Sequence, residues 1–253
     1  MSTHRAVEKA LDILLAFTPN NKELGTIDVS KLMGFHQSTV SRLLHVLADK
    51  GFLRQNPGTR KFQLGPAAMH IGLAVKKSLQ ANLVPIAKPY MEALREDLNE
   101  TIALEIFSGT NTVLAHLEKG SARINLAGNI GDILEVHAAA GAKAILAFST
   151  NDVRARILKG TFVRLTPNTI VDPKQLQKQF LEIRQQGISF ENEEHDIGTR
   201  AMGTPIFNHD GKPIAALVVA GSVQNISLQS DSPMAIQLKE TAAKISQELY
   251  HVL

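Results

Sequence analysis

The stretch that most restricts the fold is AMGTPIFNHDGKPIAALVVAG, Ala201–Gly221. Two apolar runs, each long enough for a strand, flank Asp210-Gly211, a dipeptide suited to the tight reversal of a hairpin. The second part of the chain must therefore contain antiparallel pairing. ETIALEIFSGTNTVLAHLE reads as two more strands around the turn SGTN, and SARINLAGNIGDILEV suggests a further strand and a glycine-containing loop. Helical signals are interleaved. HAAAGAKAILAFS is a small-residue helix start and NDVRARIL a short helix. DPKQLQKQFLEIRQQG is a clear helix, with Pro173 early and Gly187 after it, and SPMAIQLKETAAKISQELYHVL closes the chain as an amphipathic helix. Helices mixed with a strong hairpin predict an α+β domain with an antiparallel sheet over residues 83–253.

The first 65 residues have a different texture. RAVEKALDILLAF places Val7, Ala10, Leu11, Leu14 and Leu15 at helical spacing. TIDVSKLMG reads as a short helix with Val29, Leu32 and Met33 inward, ended by Gly34. In HQSTVSRLLHVL, Val40, Leu43, Leu44 and Leu47 recur at i, i+3, i+4 and i+7, one buried stripe. This helix starts at Ser38 as cap, or already at His36 or Gln37. FLRQNPGTRKFQLG then predicts a small hairpin with a basic tip. A linker helix follows over residues 66–82, with Pro66 in its first turn, and LVPIAKPYMEALREDLN looks helical after it.

Two short helices split by Gly-Phe have helix-turn-helix spacing, an arrangement whose second helix can enter a major groove. The face opposite the leucine stripe carries Ser38, Ser41, Arg42 and His45, with Gln37 and Thr39 near the helix start. Gln37 could pair with adenine, and Arg42 could take guanine or a phosphate. The hydroxyls of Ser38, Thr39 and Ser41 suit close approach to phosphates or bases. Lys31, Arg54, Arg60 and Lys61 read as backbone contacts, the last two flanking the hairpin tip. Any amphipathic surface helix has a polar face. Three features favour DNA here: hydroxyl-rich polarity, no acid between Met33 and Asp49, and the basic hairpin that follows. The charge balance agrees. Residues 1–80 hold eleven Lys and Arg against five Asp and Glu, whereas the remainder holds sixteen against nineteen.

Composition removes several classes. The 253 residues include no cysteine, which excludes disulfides and thiolate chemistry and fits a reducing compartment. No apolar run reaches membrane-span length and the N-terminus lacks a signal-type core, so a cytoplasmic location and no membrane partner are expected. Neither a Gly-x-Ser-x-Gly elbow nor a P-loop nor a dinucleotide fingerprint occurs. His116, His137, His195 and His209 lack metal-ligand spacing. No enzyme, cofactor or metal is expected. The competing reading is a regulator that senses nothing, or a module that uses its front domain for protein contacts.

Over nearly its whole length the chain resembles the IclR family of bacterial transcriptional regulators. The likeness is strongest in STVSRLLHVLADKGFLRQNPGTRKFQLG and in EIRQQGISFENEEHDIGTRAMGTPIFNHDGKPIAALVVAGS, with HAAAGAKAILAF and LTPNTIVDPKQL between them. The resemblance implies a winged helix-turn-helix domain joined to a GAF-like effector domain. It also implies homodimers, often dimers of dimers, and double-stranded operator DNA with inverted-repeat character. The implied effector is a small molecule, usually an organic or aromatic acid. Matched to the family's pocket, Gly141 and Ala142 take the backbone position that meets the ligand, and Glu191 an often acidic position. Ala201, Val218 and Ala220 stand where some members carry Cys or Ser. These apolar side chains argue for a larger or partly apolar acid rather than a two- or three-carbon one. Arg123 or Arg200 could supply charge for its carboxylate. Adjacent Glu193 and Glu194 would point apart, as caps or surface charge.

Overall fold

The computed structural model describes residues 3–18, 23–109, 111–121 and 128–252. It divides into two compact units, Met1–Ser78 and Leu79–Leu253, each with its own core.

The first unit is built from α1 (Thr3–Leu15), α2 (Thr26–Met33), α3 (Gln37–Asp49) and a hairpin of β1 (Leu53–Gln55) and β2 (Phe62–Leu64). The two strands pair antiparallel, and Leu24 adds a bridge to Phe62 beside them. Ile13, Phe17, Val29, Val40, Leu44, Leu47, Leu53 and Phe62 form the core. Helical spacing left the inward face of α1 open, and one expectation for α2, an inward Leu32, changes. Val7, Leu11 and Leu15 are all more than half exposed, because α1 turns Ile13 inward and Phe17, in the turn after it, completes that contact. Leu32 is also exposed, leaving Val29 as the buried anchor of α2. Gly34, at φ 66°, ends α2 in the left-handed conformation that glycine adopts without a steric penalty. The turn to α3 is short, and His36 is the N-cap of α3 rather than Ser38. Gln37 and Ser38 thus open the helix itself.

Helix α4 (Pro66–Leu98) is a single element. The linker helix and the helical segment expected after it are therefore one, with Pro85 and Pro89 inside it.

The second unit continues with β3 (Thr101–Phe107), β4 (Thr112–Glu118), β5 (Ile133–Leu134), α5 (Ala140–Phe148), α6 (Asn151–Leu158) and α7 (Pro173–Gln186). It ends with β6 (Ser189–Asn192), β7 (Thr199–Phe207), β8 (Pro213–Ser222) and α8 (Pro233–Val252). Asp172 caps α7 through its side chain, and Gly187 closes it at φ 72°. The six strands form one antiparallel sheet in the order β5-β4-β3-β8-β7-β6. Of the segment read as a further strand and a glycine-containing loop, residues 122–127 lie outside the described residues, and β5 occupies Ile133–Leu134.

Alternation along the strands sends large and small residues to opposite faces. Ile102, Leu104, Met202, Leu217 and Val219 pack against Met91 and Leu94 of α4 and Leu238, Ile245 and Leu249 of α8. The other face carries Ala103, Ala201, Ala216, Val218 and Ala220, and α5 lies on it. Alanines there let the helix come close. At Gly203 the fit is closer still: an added Cβ would sit 2.8 Å from the Ala140 carbonyl carbon. Beyond α5, a further cluster joins Leu146 to Ile157 of α6 and Leu176 and Phe180 of α7. The small-residue face and the loop before α5 leave a cavity between them.

Candidate functional site

The first unit presents one polar face. Gln37, Ser38, Arg42 and His45 are exposed on α3, and Thr39 and Ser41 are half-buried among them. Val40, Leu44 and Leu47 on the opposite side fix this orientation. The Arg42 side chain has no hydrogen bond or ion pair among the described residues. His45 is more constrained. Its Nδ1 lies 2.7 Å from the Ser41 carbonyl oxygen, and its ring meets Phe62 edge-on at 5.6 Å. It therefore ties α3 to the hairpin.

The hairpin turn is organised by acids behind it. Asn56 Oδ1 accepts from the Gly58 and Thr59 backbone N–H groups. The Glu23 carboxylate accepts from Asn56 Nδ2 at 2.8 Å and from the Thr59 hydroxyl at 3.0 Å, and these bonds hold its pKa below the usual carboxylate range. Arg60 is left-handed at φ 58°, with its side chain in solvent. Lys61 lies 3.5 Å from Asp28 at the start of α2. Asp28 in turn accepts from the Gly25 backbone N–H, which lowers its pKa. Arg54 stands opposite Gln63 across the hairpin, and its guanidinium donates to the Gln63 amide oxygen at 2.6 and 2.8 Å. Lys31 is exposed in the last turn of α2. Of the four backbone-contact residues, Arg54 and Lys61 already have protein partners.

The second unit holds a partly open cavity with an interior of about 90 Å³. At about 10–15 Å³ for one water on the same measure, that is room for roughly six to nine waters, the scale of a small organic molecule. Ala103, Ala201, Val218 and Ala220 form its sheet wall, and Ala138–Ala140 its α5 wall. The polar lining consists of Glu105, Glu191, His195, Asp196 and Thr199.

Four of the six residues singled out by resemblance, Glu191, Ala201, Val218 and Ala220, line this cavity. Gly141 and Ala142 do not; their backbone N–H groups face the Glu105 carboxylate instead. An added Cβ at Gly141 would lie 2.5 Å from Glu105 Cδ, so only glycine leaves room for this acid. Glu105 is wholly enclosed. Burial pushes its pKa up to about 7, while the Thr112 hydroxyl, donating at 3.0 Å, and the two N–H groups favour the ionised form. Nothing in the strand pattern of TIALEIF marked this residue. A register irregularity against β4 falls between Leu104 and Glu105, and only the packing of α5 on the sheet shows where the side chain goes.

Glu191 Oε1 accepts from the backbone N–H groups of Glu194 and His195, the latter at 2.9 Å. Burial raises its pKa against those bonds. Glu194 is not surface charge. Its carboxylate receives both bonds of Lys143 Nζ, at 2.7 and 2.8 Å, and Lys143 has no solvent exposure. Glu193, at φ 56°, turns away and accepts from the Gly198 N–H. Arg200 is held by Asn192 Oδ1 at 2.7 Å and the Val223 carbonyl at 2.9 Å, and is not part of the cavity wall. Arg123 lies outside the described residues. Among the described residues no group of three or more His, Asp or Glu could hold a metal ion, and no helix is long and apolar enough to cross a membrane.

A helix-turn-helix with a hairpin wing, followed by an α+β unit that holds a small, partly open cavity, defines a class of protein: a transcriptional regulator that contacts DNA through its first unit. The comparisons make the class specific. Residues 6–57 match the model of the IclR helix-turn-helix domain, and residues 76–247 match that of the bacterial transcriptional regulator IclR C-terminal domain. The chain belongs to the IclR family. It is 29% identical to the HTH-type transcriptional regulator XynR of Escherichia coli over 97% of each chain. It is 28% identical to the HTH-type transcriptional regulator BhcR of Paracoccus denitrificans over 96% of this chain and 86% of that one. An IclR regulator from Silicibacter sp. TM1040 has the same fold, with a TM-score of 0.81 at 24% identity over 96% of both chains. One from Brucella abortus also scores 0.81, at 22% identity over 96% and 92%.

Proposed function

We propose that this protein is a DNA-binding regulator whose affinity for its operator is set by a small molecule held in the cavity of the second unit. The observation that carries the DNA half is the face of α3. Gln37, Ser38 and Arg42 stand exposed at its start, Arg42 without a partner among the described residues, on a helix whose other side is core. Arg60 at the wing tip adds a phosphate contact, and Lys31 another. The effector half rests on the cavity and its polar lining. One IclR homologue from Microbacterium hydrocarbonoxydans was solved in complex with 4-hydroxybenzoate, which supports a small organic ligand for this family. The protein acts as a homodimer on an inverted-repeat site, since one short recognition helix reads few bases and two symmetric copies read enough.

A gel shift on the DNA upstream of its own gene tests the reading. Specific binding is expected, weakening steeply with salt as phosphate contacts release counterions. Arg42→Ala should weaken specific binding by roughly 5–150-fold, the range for one base contact, and Lys119→Ala, exposed on the second unit, should leave it unchanged. Equal effects would defeat the recognition-helix assignment. A regulator that senses nothing would show the same gel shift but no response to any metabolite.

A further inference from the structure

The cavity's charges narrow the ligand. Its described walls carry three carboxyl groups, Glu105, Glu191 and Asp196, and one imidazole, His195, whose Nδ1 lies 2.8 Å from Asp196 Oδ2. Among the described residues no lysine or arginine lines it. Lys143 lies close enough to Glu191 to favour its ionised form, but both of its bonds go to Glu194. A helix start is the usual backbone site for an anion, because its N–H groups are unpaired. Here that site faces an internal acid: Gly141 and Ala142 present their N–H groups to Glu105, with no room for a Cβ between them.

We propose that the cavity takes a small apolar-bodied ligand bearing hydrogen-bond donors, an amine or an alcohol, with Glu105 standing where a ligand carboxylate would otherwise sit at the start of α5. This inference rests on the reading of the cavity as the effector site. A carboxylate entering this space would add a further acid beside two buried ones, Glu105 and Glu191, and a like charge nearby raises the cost of ionising each. A hydroxyl or ammonium group instead donates to Glu105 and Glu191, whose burial already disfavours their charge. The alanines, Val218, Leu114 and Leu117 suit a hydrocarbon body.

The test uses the full chain and matched probes: benzylamine, benzyl alcohol and benzoate, with butylamine, butanol and butyrate as an aliphatic set. Thermal shift and calorimetry at millimolar concentration give the order of affinity. The amine or alcohol should bind at least tenfold more tightly than the acid of the same set. Glu105→Gln should shift that ratio at least tenfold towards the acid. Glu191→Gln provides a second reading, in the same direction, if the first variant folds poorly. Preference of the wild-type protein for the acids, or an order that neither variant changes, would overturn the inference. Silence of every probe alongside an intact operator gel shift would also overturn it, removing the cavity as a ligand site while the DNA reading stands. Loss of operator binding in the untreated protein would strike the DNA reading alone.

Discussion

Lys143 and Glu194 form an ion pair with almost no contact with water. Such a pair contributes little net stability, yet breaking it leaves one charge stranded. Lys143→Met should therefore cost about 3–5 kcal/mol, and adding Glu194→Leu should recover most of it; urea unfolding of the single and double variants checks both. Glu105 makes a pH prediction. Its pKa is about 7 in the folded chain against 4.5 for the free group. A raised carboxyl pKa means that the folded state keeps a proton which the unfolded chain releases, so stability falls as pH rises through that interval. Glu105→Gln stays neutral. Its stability relative to wild type should grow by about 2–3 kcal/mol between pH 5 and pH 8, measured by denaturant melts at the two values. A constant difference would mean that Glu105 titrates normally. Neither residue was legible in the sequence. Strand and helix spacing say nothing of the glutamate in TIALEIF or the lysine in AGAKAIL, and their burial is decided by α5 lying across β3 and β7, segments far apart in the chain.

Among the elements, α3 was readable because its apolar residues form one stripe. Helix α1 was readable as a helix but its buried face was not, because it is apolar on two sides: Val7, Leu11 and Leu15 follow one line, Ile13 and then Phe17 another, and only the second meets the core. Strand β6, with four residues, is too short to show a period. The hairpin wing was clear from its turn residues, but Glu23, outside it, was needed to explain how that turn is held. The wing and α3 make separable predictions. Arg60→Ala should weaken binding to specific and non-specific DNA alike and reduce the salt slope by about one. Gln37→Ala should instead relax the preference at a single base position, as read by selection from a randomised operator. A uniform loss from both variants would place α3 on the backbone and out of the groove.

At the scale of the whole molecule, the excess of basic residues before residue 80 and of acidic residues after it matches a chain in which one unit meets DNA and the other does not. If ligand and operator are coupled, the coupling is reciprocal. A ligand that changes operator affinity by a given factor must have its own affinity changed by the same factor when operator is added, a result calorimetry with and without DNA would show. The sheet adds a consequence for how the chain is made. Its central neighbours, β3 and β8, come from opposite ends of the second unit, with Thr101 set against Ala220. The ribosome must release nearly the entire chain before that pair can zip, whereas the first unit closes on contacts within its own short length. Such long-range closure is slow. During synthesis the DNA-reading end should be folded while the cavity that would govern it has yet to form.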